Sequence, residues 1–295
     1  MAETRQPMML AAVGRKGVGK TIETIKFIYQ YIQGTSTMKP RKALIFDVNN
    51  EFSSFKFPDP KAGMITHSIK RIAIKDIPKF SNSNISEVRR VAPYWDNNVA
   101  MTNTEYSVAL EKILSYYRNG LLLLEDINKY TSENMKADLI GRIISNRHIG
   151  LDIVLHFQGV GRVLTPKILS NTNLIRLHKT NDEVSRYKER AEDKVHILSI
   201  AEKIVNARYE DGVTNHNDNR YFSLIVNNDD SKITGDFTKQ EAEMAVMDYL
   251  SSDDGKPIVR YFAEKRDLSG KKTMSMEQAY ITANKKFLKD YFYFE

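Results

Sequence analysis

Short apolar runs and segments with helical spacing alternate along the first 180 residues of the chain. The runs predict strands at 8–13, 42–48, 121–126, 151–158 and 174–177. Apolar residues recur at helical spacing in 21–33, 104–119 and 132–147, which predicts helices there. Continuous apolar strands that alternate with helices are typical of an α/β fold with a mostly parallel sheet flanked by helices.

Two parts of the chain depart from this alternation. Strand-like pieces at 67–75 and 86–94, with a loop over 81–84, indicate a small β-rich insertion at about 56–103. In the last third, 220–226 reads as a strand paired with 203–209, and capping boxes after Thr238 and Ser275 each begin a helix. We therefore predict a core over residues 1–200 and an α+β extension of a strand pair and helices over 201–295.

The segment between the first strand and the first helix carries the most specific chemistry. It reads Gly-Arg-Lys-Gly-Val-Gly-Lys-Thr and matches the phosphate-binding pattern G-x-x-x-x-G-K-[ST] at every fixed position. Its glycines let successive backbone N–H groups face one anion, and the following helix adds its positive N-terminal end. The alternative is a glycine-rich turn without a ligand. The predicted ATP-binding residues are Gly14, Arg15, Lys16, Gly17, Val18, Gly19, Lys20, Thr21 and Ile22.

Polar residues follow the predicted strands at their carboxyl ends. The third strand closes on Glu125 and Asp126, which suits one acid for Mg²⁺ and another for the attacking water. Gln158 ends the fourth strand, and 49–51 (Asn-Asn-Glu) follow the second. Because carboxyl ends of parallel strands share one edge, we expect these residues beside the phosphate loop, with Thr21 as a second Mg²⁺ ligand. Plain strand-to-loop transitions are the alternative.

Composition narrows the class of protein. A chain of 295 residues with 41% hydrophobic content can bury a sizeable core, and it has no cysteine for disulfides or thiolate metal sites. No apolar stretch reaches the roughly 18–20 residues of a membrane span, and the N-terminal sequence lacks the apolar core of a secretory signal. We therefore expect a cytoplasmic protein. The net charge of +7 is compatible with nucleic acid but equally with a mixed, solvated surface.

The order of these motifs resembles the HerA and FtsK group of P-loop translocases, which includes packaging ATPases of several phages and Zot-type proteins of filamentous phages. The resemblance covers roughly residues 8–180 and continues weakly through 232–237. Its most specific part is the run Arg-x-x-Gly-Leu-Asp-Ile-Val-Leu-x-x-Gln from Arg147 to Gln158. The resemblance implies a RecA-like ATPase core, hexameric assembly and translocation of DNA through a central channel.

The resemblance also implies roles for single residues. Glu125 would be the metal-associated acid, Asp126 the water-positioning acid and Gln158 a polar sensor beside the γ-phosphate. Arg147, or Arg142 in its place, would be a finger inserted into a neighbouring subunit's site; complementing a helix dipole is the alternative for Arg147. The family usually ends this strand in Asp-Glu, so the order Glu-Asp here leaves open slow turnover or an exchange of roles.

The motifs predict a Mg²⁺-dependent ATPase, and the resemblance implies that it translocates double-stranded DNA, packaging it into a phage capsid. We expect a homo-oligomer in the host cytoplasm, with a capsid or portal component as a further partner. A nucleotide-dependent switch or scaffold is one alternative and would need neither Gln158 nor a bridging arginine. A P-loop small-molecule kinase is another; it would need a lid with several arginines, and Arg186, Arg190 and Arg208 stand outside any clear lid motif.

Overall fold

A computed structural model describes residues 6–36, 38–59, 63–127, 141, 143, 145 and 150–294. The chain divides into two compact units. The first comprises the N-terminal residues to Ala12 and Lys20–Gln158, and the second comprises Val13–Gly19 and Gly159–Glu295. The first strand passes from one unit to the other at its last residue.

The first unit is built on a parallel sheet. Strands β8-β7-β2-β6-β5 are neighbours in that order and all pair in parallel, with β1 beside β8. The register aligns Phe46 at the end of β2 with Leu124 at the end of β7, so residues after both strands reach the same edge. The strands are β1 Met9–Val13, β2 Ala43–Phe46, β3 Ser54–Asp59, β4 Gly63–Ser68, β5 Lys70–Arg71, β6 Val88–Val91, β7 Leu121–Leu124 and β8 Asp152–Phe157, and the helices are α1 Lys20–Gln33, α2 Ile77–Asn82 and α3 Asn103–Tyr116.

The central strands of this unit are buried along their whole length. Every residue of β2, β7 and β8 is buried, which explains their continuous apolar runs. Helix α1 buries Ile25, Ile28 and Tyr31, and α3 buries one stripe of apolar residues after a capping box at Thr102. The predicted α/β class with a mostly parallel sheet flanked by helices is confirmed.

The region between β2 and α3 differs in part from the prediction. The predicted pieces at 67–75 and 86–94 supply β5 and β6, which extend the parallel sheet, and only β3 and β4 form a separate antiparallel pair. The loop predicted at 81–84 is wrong at its start, because helix α2 runs to Asn82. Pro78 lies in the first turn of α2, where its missing N–H costs nothing.

The second unit combines helices with an antiparallel arrangement. Strand β10 pairs antiparallel with both β9 and β11. The capping boxes predicted at Thr238 and Ser275 are confirmed at the starts of α8 and α10. The strands are β9 Leu174–Leu177, β10 Leu224–Asn227 and β11 Lys232–Thr234, and the helices are α4 Val160–Val163, α5 Pro166–Leu169, α6 Lys188–Ala191, α7 Val195–Thr214, α8 Lys239–Ser251, α9 Lys256–Ala263 and α10 Met276–Tyr291.

The strand predicted at 203–209 is wrong, because these residues lie within helix α7. The buried residues Ile197, Ala201, Ile204 and Val205 recur at helical spacing along α7. A window confined to 203–209 shows only part of that stripe, so its apolar residues resembled a short strand. In the described part of the chain, no helix is both long and apolar enough to cross a membrane.

Candidate nucleotide-binding site

The phosphate loop lies in the second unit, where the end of β9 holds it. The backbone N–H of His178 donates to the Val13 carbonyl at 2.8 Å, and the N–H of Arg15 donates to the Lys179 carbonyl at 2.9 Å. His178 Nδ1 lies 2.9 Å from the Val18 carbonyl oxygen, and since a carbonyl only accepts, Nδ1 carries the hydrogen. Both ends of the loop are therefore fixed by the residues that follow β9.

The glycines of the loop meet specific steric demands. Gly17 and Gly19 have φ of 83° and 88°, in the left-handed region that glycine adopts without strain. At Gly14 a Cβ would lie 2.7 Å from the Cβ of His178, a separation that side chains do not tolerate. The loop thus requires glycine at 14 for space and at 17 and 19 for backbone conformation.

Two variable positions of the loop have different surroundings. The Arg15 guanidinium lies 4.8 Å from the centre of the Tyr209 ring, donates to its hydroxyl, and is thereby tied to α7. Lys16 is exposed. Lys16 is therefore the loop side chain between Gly14 and Gly19 that is available to phosphate, whereas Arg15 braces the loop.

Lys20 begins α1 in the first unit, with half-buried Thr21 and exposed Ile22 after it. Burial lowers the pKa of Lys20 to about 8, while the negative charges of Asp126, Glu125 and Glu51 raise it in opposition. The ammonium group remains mostly protonated at neutral pH. These three carboxylates lie close enough to act on its charge, so the lysine and both acids after β7 share one site.

Glu125 and Asp126 follow β7 in different environments. Glu125 is only 4% exposed, and burial raises its pKa, with further raising by the charges of Asp47 and Glu51. The backbone N–H of Asn49 donates to its Oε2 at 3.3 Å and opposes that shift. A nearby cation would lower the pKa of Glu125, because a positive charge favours the ionised form of a carboxyl group.

Asp126 is more accessible, and its backbone is unusual. Its φ is 42°, in the left-handed region, which aspartate and asparagine adopt more readily than other non-glycine residues. Gln158 Nε2 lies 3.2 Å from both carboxylate oxygens of Asp126 and donates to them. The structure thus brings Asp126 and Gln158 together, as expected from the shared edge of the sheet.

The turn after β2 is held by Asp47 and Arg90, for which the sequence pattern predicted no such role. Asp47 is fully buried, accepts the N–H groups of Glu51 and Phe52 at 2.9 and 3.0 Å, and pairs with Arg90 Nη1 at 3.0 Å. Arg90 also donates to the Asn50 side chain at 2.7 Å. Asp47 therefore shapes the turn that places Asn49 and Glu51 beside Glu125. The one signal for Arg90 was a pair of arginines inside the short strand β6.

Of the remaining candidate site residues, the structure describes some and not others. His156 Nε2 lies 2.8 Å from the hydroxyl of Thr24, and both side chains are buried. Arg147, Arg142, His148 and most of the helix predicted at 132–147 lie outside the described residues. The finger role of Arg147 or Arg142 stays a prediction.

The acids fit a magnesium ion that a triphosphate also holds. Among described residues, no group of three or more His, Cys, Asp or Glu side chains could hold a metal ion. Mg²⁺ usually keeps several waters and takes only one or two carboxylates together with substrate phosphates. Glu125 offers a buried carboxylate whose ionisation a cation would favour, and Thr21 adds a hydroxyl one residue after Lys20.

Glu125→Gln should stabilise the nucleotide-free protein, increasingly as pH rises. The folded-state pKa of Glu125 is raised above the ordinary 4.5, so folding favours its protonated form. Stability is therefore lost as pH rises from about 4.5 through the folded-state pKa. The glutamine of the variant does not ionise, so its stability does not fall in this way as pH rises. Thermal unfolding from pH 5 to about 8 should show the variant gaining over wild type; a constant difference would contradict the raised pKa.

Comparison with solved structures finds three kinds of similar chain. The chain is similar to the genome-packaging NTPase B204 of Sulfolobus turreted icosahedral virus 2 in complex with ATP-gammaS: 15% identity, 78% of this chain, 96% of that chain, TM-score 0.48. It is also similar to the N-terminal domain of zonular occludens toxin from Neisseria meningitidis: 12% identity, 60% of this chain, 79% of that chain, TM-score 0.34. A third similar structure is the ATPase EscN of the enteropathogenic E. coli type III secretion system: 10% identity, 95% of this chain, 66% of that chain, TM-score 0.32.

No protein-family model and no curated protein matches the chain. Two of these structures, a genome-packaging NTPase and a zonular occludens toxin domain, are of the kinds that the sequence resemblance named. The structure itself shows the α/β class with a mostly parallel sheet. The RecA-like assignment stays a prediction.

Proposed function

We propose that this protein is a Mg²⁺-dependent ATPase that translocates double-stranded DNA, with genome packaging as its task. One observation carries the ATPase proposal. In the first unit, the charges of Glu125 and Asp126 act on Lys20, and Gln158 holds both oxygens of Asp126 at 3.2 Å. A phosphate-binding cation, a buried acid, an accessible acid and a polar amide are the parts that triphosphate hydrolysis requires.

Each residue has a distinct task in this proposal. Lys20 binds the β- and γ-phosphates as a point charge and stabilises charge as the γ-phosphoryl group departs. Asp126 accepts a hydrogen bond from the attacking water, and Gln158 orients both the carboxylate and that water. Mg²⁺, held by Thr21, Glu125 and the phosphates, would neutralise the β- and γ-oxygens.

The left-handed backbone of Asp126 relates to the order Glu-Asp after β7, where the resemblance leads one to expect Asp-Glu. An aspartate is one methylene shorter than the glutamate that the resemblance leads one to expect, a loss of about 1.5 Å in reach. A change from extended to left-handed φ changes the direction in which a side chain leaves the backbone. We assign the φ of 42° at Asp126 to this purpose. The carboxylate then meets Gln158 despite its shorter side chain.

The alternatives fit the described contacts less well. A nucleotide-dependent switch has no need of the Asp126–Gln158 pair. A small-molecule kinase needs mobile arginines, yet Arg208 pairs with Glu241 at 2.5 Å and Arg190 lies 5.8 Å from the centre of the Tyr187 ring. Both arginines therefore have partners within the second unit. Arg186 is exposed but lies in no lid motif, so the Asp126–Gln158 pair is the contact that favours a hydrolase.

Duplex DNA should stimulate ATP hydrolysis, and nucleotide should favour a ring. We expect the ATPase rate to rise with duplex of any sequence, and light scattering to give the mass of a closed homo-oligomer. A hexamer with Arg147 acting across subunits is the proposed form. An ATPase rate that duplex leaves unchanged, in a protein that stays monomeric with ATP and DNA, would favour the switch.

A further inference from the structure

The chain between α9 and α10 forms a small hairpin that the proposed site does not use. Residues 265–273, here called the basic hairpin, are joined by hydrogen bonds from Thr273 N–H to the Lys265 carbonyl and from Asp267 N–H to the Lys271 carbonyl, each 2.9 Å. Gly270, at φ 82°, closes the turn by donating to the Asp267 carbonyl at 3.0 Å. The hairpin therefore has a defined shape while standing exposed.

Positive charge is concentrated on this hairpin. Lys265, Arg266, Lys271 and Lys272 are all exposed, and no described residue forms an ion pair with any of them. The carboxylate of Asp267 accepts hydrogen bonds from the Ser269 and Lys271 N–H groups and so serves the turn. Arg266 Nη1 donates to the Gly270 carbonyl at 2.6 Å, and Lys265 Nζ lies 4.8 Å from the centre of the Phe262 ring, so these contacts orient the two side chains while both residues stay exposed. Four cations and one carboxylate thus lie within eight residues.

Two of these cations face each other across the hairpin. Arg266 and Lys272 form an antiparallel bridge, the position in which like charges destabilise a pair of strands. A polyanion that contacts both side chains removes that repulsion. The repulsion between the two side chains destabilises the hairpin in the isolated protein. Its removal makes the binding of a polyanion more favourable.

The tip adds an apolar element. Leu268 is completely exposed, at 110% of its reference area. The exposed leucine is removed from water when a groove receives the tip, and in the major groove the thymine methyl groups offer it apolar contacts. Since a two-stranded ribbon fits the major groove of B-form DNA, and A-form RNA has a deep and narrow one, the shape favours duplex DNA.

We infer that the basic hairpin is a duplex-DNA contact, with its cations on phosphates and Leu268 in a groove. This inference rests on the proposed function, for which it names a DNA-binding element. Contacts to phosphate carry no sequence information, so this element suits a protein that moves along any sequence.

The test compares two double variants that lose the same charge. Lys271→Ala/Lys272→Ala removes two hairpin cations, and Lys239→Ala/Lys285→Ala removes two exposed lysines elsewhere in the same unit. Anisotropy of a labelled duplex, with a non-hydrolysable ATP analogue, is followed between about 50 and 200 mM salt. The hairpin variant should bind about tenfold or more weakly at low salt, and its log–log salt slope should shrink by about 2. The control should change neither.

A third variant tests the tip. Leu268→Ser should weaken binding at every salt concentration without changing the slope, because it removes burial and no charge. In all three variants ATP turnover without DNA should equal wild type, which shows that the fold is intact.

The possible failures are separable. If wild type binds duplex with a steep salt slope and the hairpin variant matches the control, the inference is wrong while the proposed function stands. If wild type binds no duplex, both are wrong. Equal affinity for duplex RNA, or hairpin-dependent binding to phosphatidylglycerol vesicles with unchanged duplex binding, would overturn the assignment to DNA.

Discussion

Lys20→Ala is expected to lower kcat/KM for ATP by about 10²–10³-fold, the usual loss when one preorganised charge-stabilising group is removed. The reason is that Lys20 follows the phosphate loop, and the charges of Asp126, Glu125 and Glu51 act on its ammonium group at the place where a triphosphate would bind. Burial disfavours that charge in the nucleotide-free protein, so its removal should leave the thermal midpoint unchanged or slightly higher.

Lys26→Ala is the matched control for this variant. Lys26 lies on the same helix, is exposed, and pairs with Glu23 at 2.7 Å, a contact of the kind that contributes little to stability. We expect it to hydrolyse ATP at the wild-type rate. Hydrolysis near the wild-type rate in Lys20→Ala would contradict the assignment of Lys20 to the phosphate site. Both variants are compared by steady-state kinetics and nucleotide binding.

Asp126→Asn is expected to keep Mg-ATP binding and lose about 10²–10⁴-fold in kcat, the range of general-base catalysis. The amide keeps the size of the carboxylate but cannot accept the proton of the attacking water. Glu125→Gln should instead raise the Mg²⁺ concentration needed for half-maximal activity, since the amide is a weaker ligand.

Together these two variants decide the order of the acids. A magnesium titration of each, with ATP in excess, separates a metal requirement from a loss of kcat. If Asp126→Asn changes the magnesium requirement and Glu125→Gln changes only kcat, the roles are exchanged. Gln158→Ala should reproduce Asp126→Asn in weaker form, because the carboxylate would lose its 3.2 Å partner.

The sequence predicted those parts of the fold that depend on local pattern. Strand β9 was predicted at its observed bounds, and the capping boxes at Thr238 and Ser275 begin α8 and α10. Hydrogen-bonding side chains three residues apart determine such starts, so a short window contains the needed information. The prediction at 203–209 was wrong because the stripe that identifies α7 extends over 20 residues.

The sequence predicted the motifs of the site but not the residues that hold those motifs in place. The acids after β7 and Gln158 follow from apolar runs that end in polar residues. His178, which holds the phosphate loop, lies 160 positions along the chain from Val18, and Arg90 lies 43 positions from Asp47. Contacts over such separations depend on how strands align in the folded sheet, and no local pattern in a single sequence encodes them.

Displacement of a third strand from a DNA triplex tests the central claim most directly. A triplex-forming oligonucleotide is annealed to a long duplex, and its release by wild type is followed with ATP and Mg²⁺. We expect release that requires ATP hydrolysis, is delayed when the triplex lies farther from the free duplex end, and is absent with Lys20→Ala. Robust ATP hydrolysis that displaces no third strand would contradict translocation.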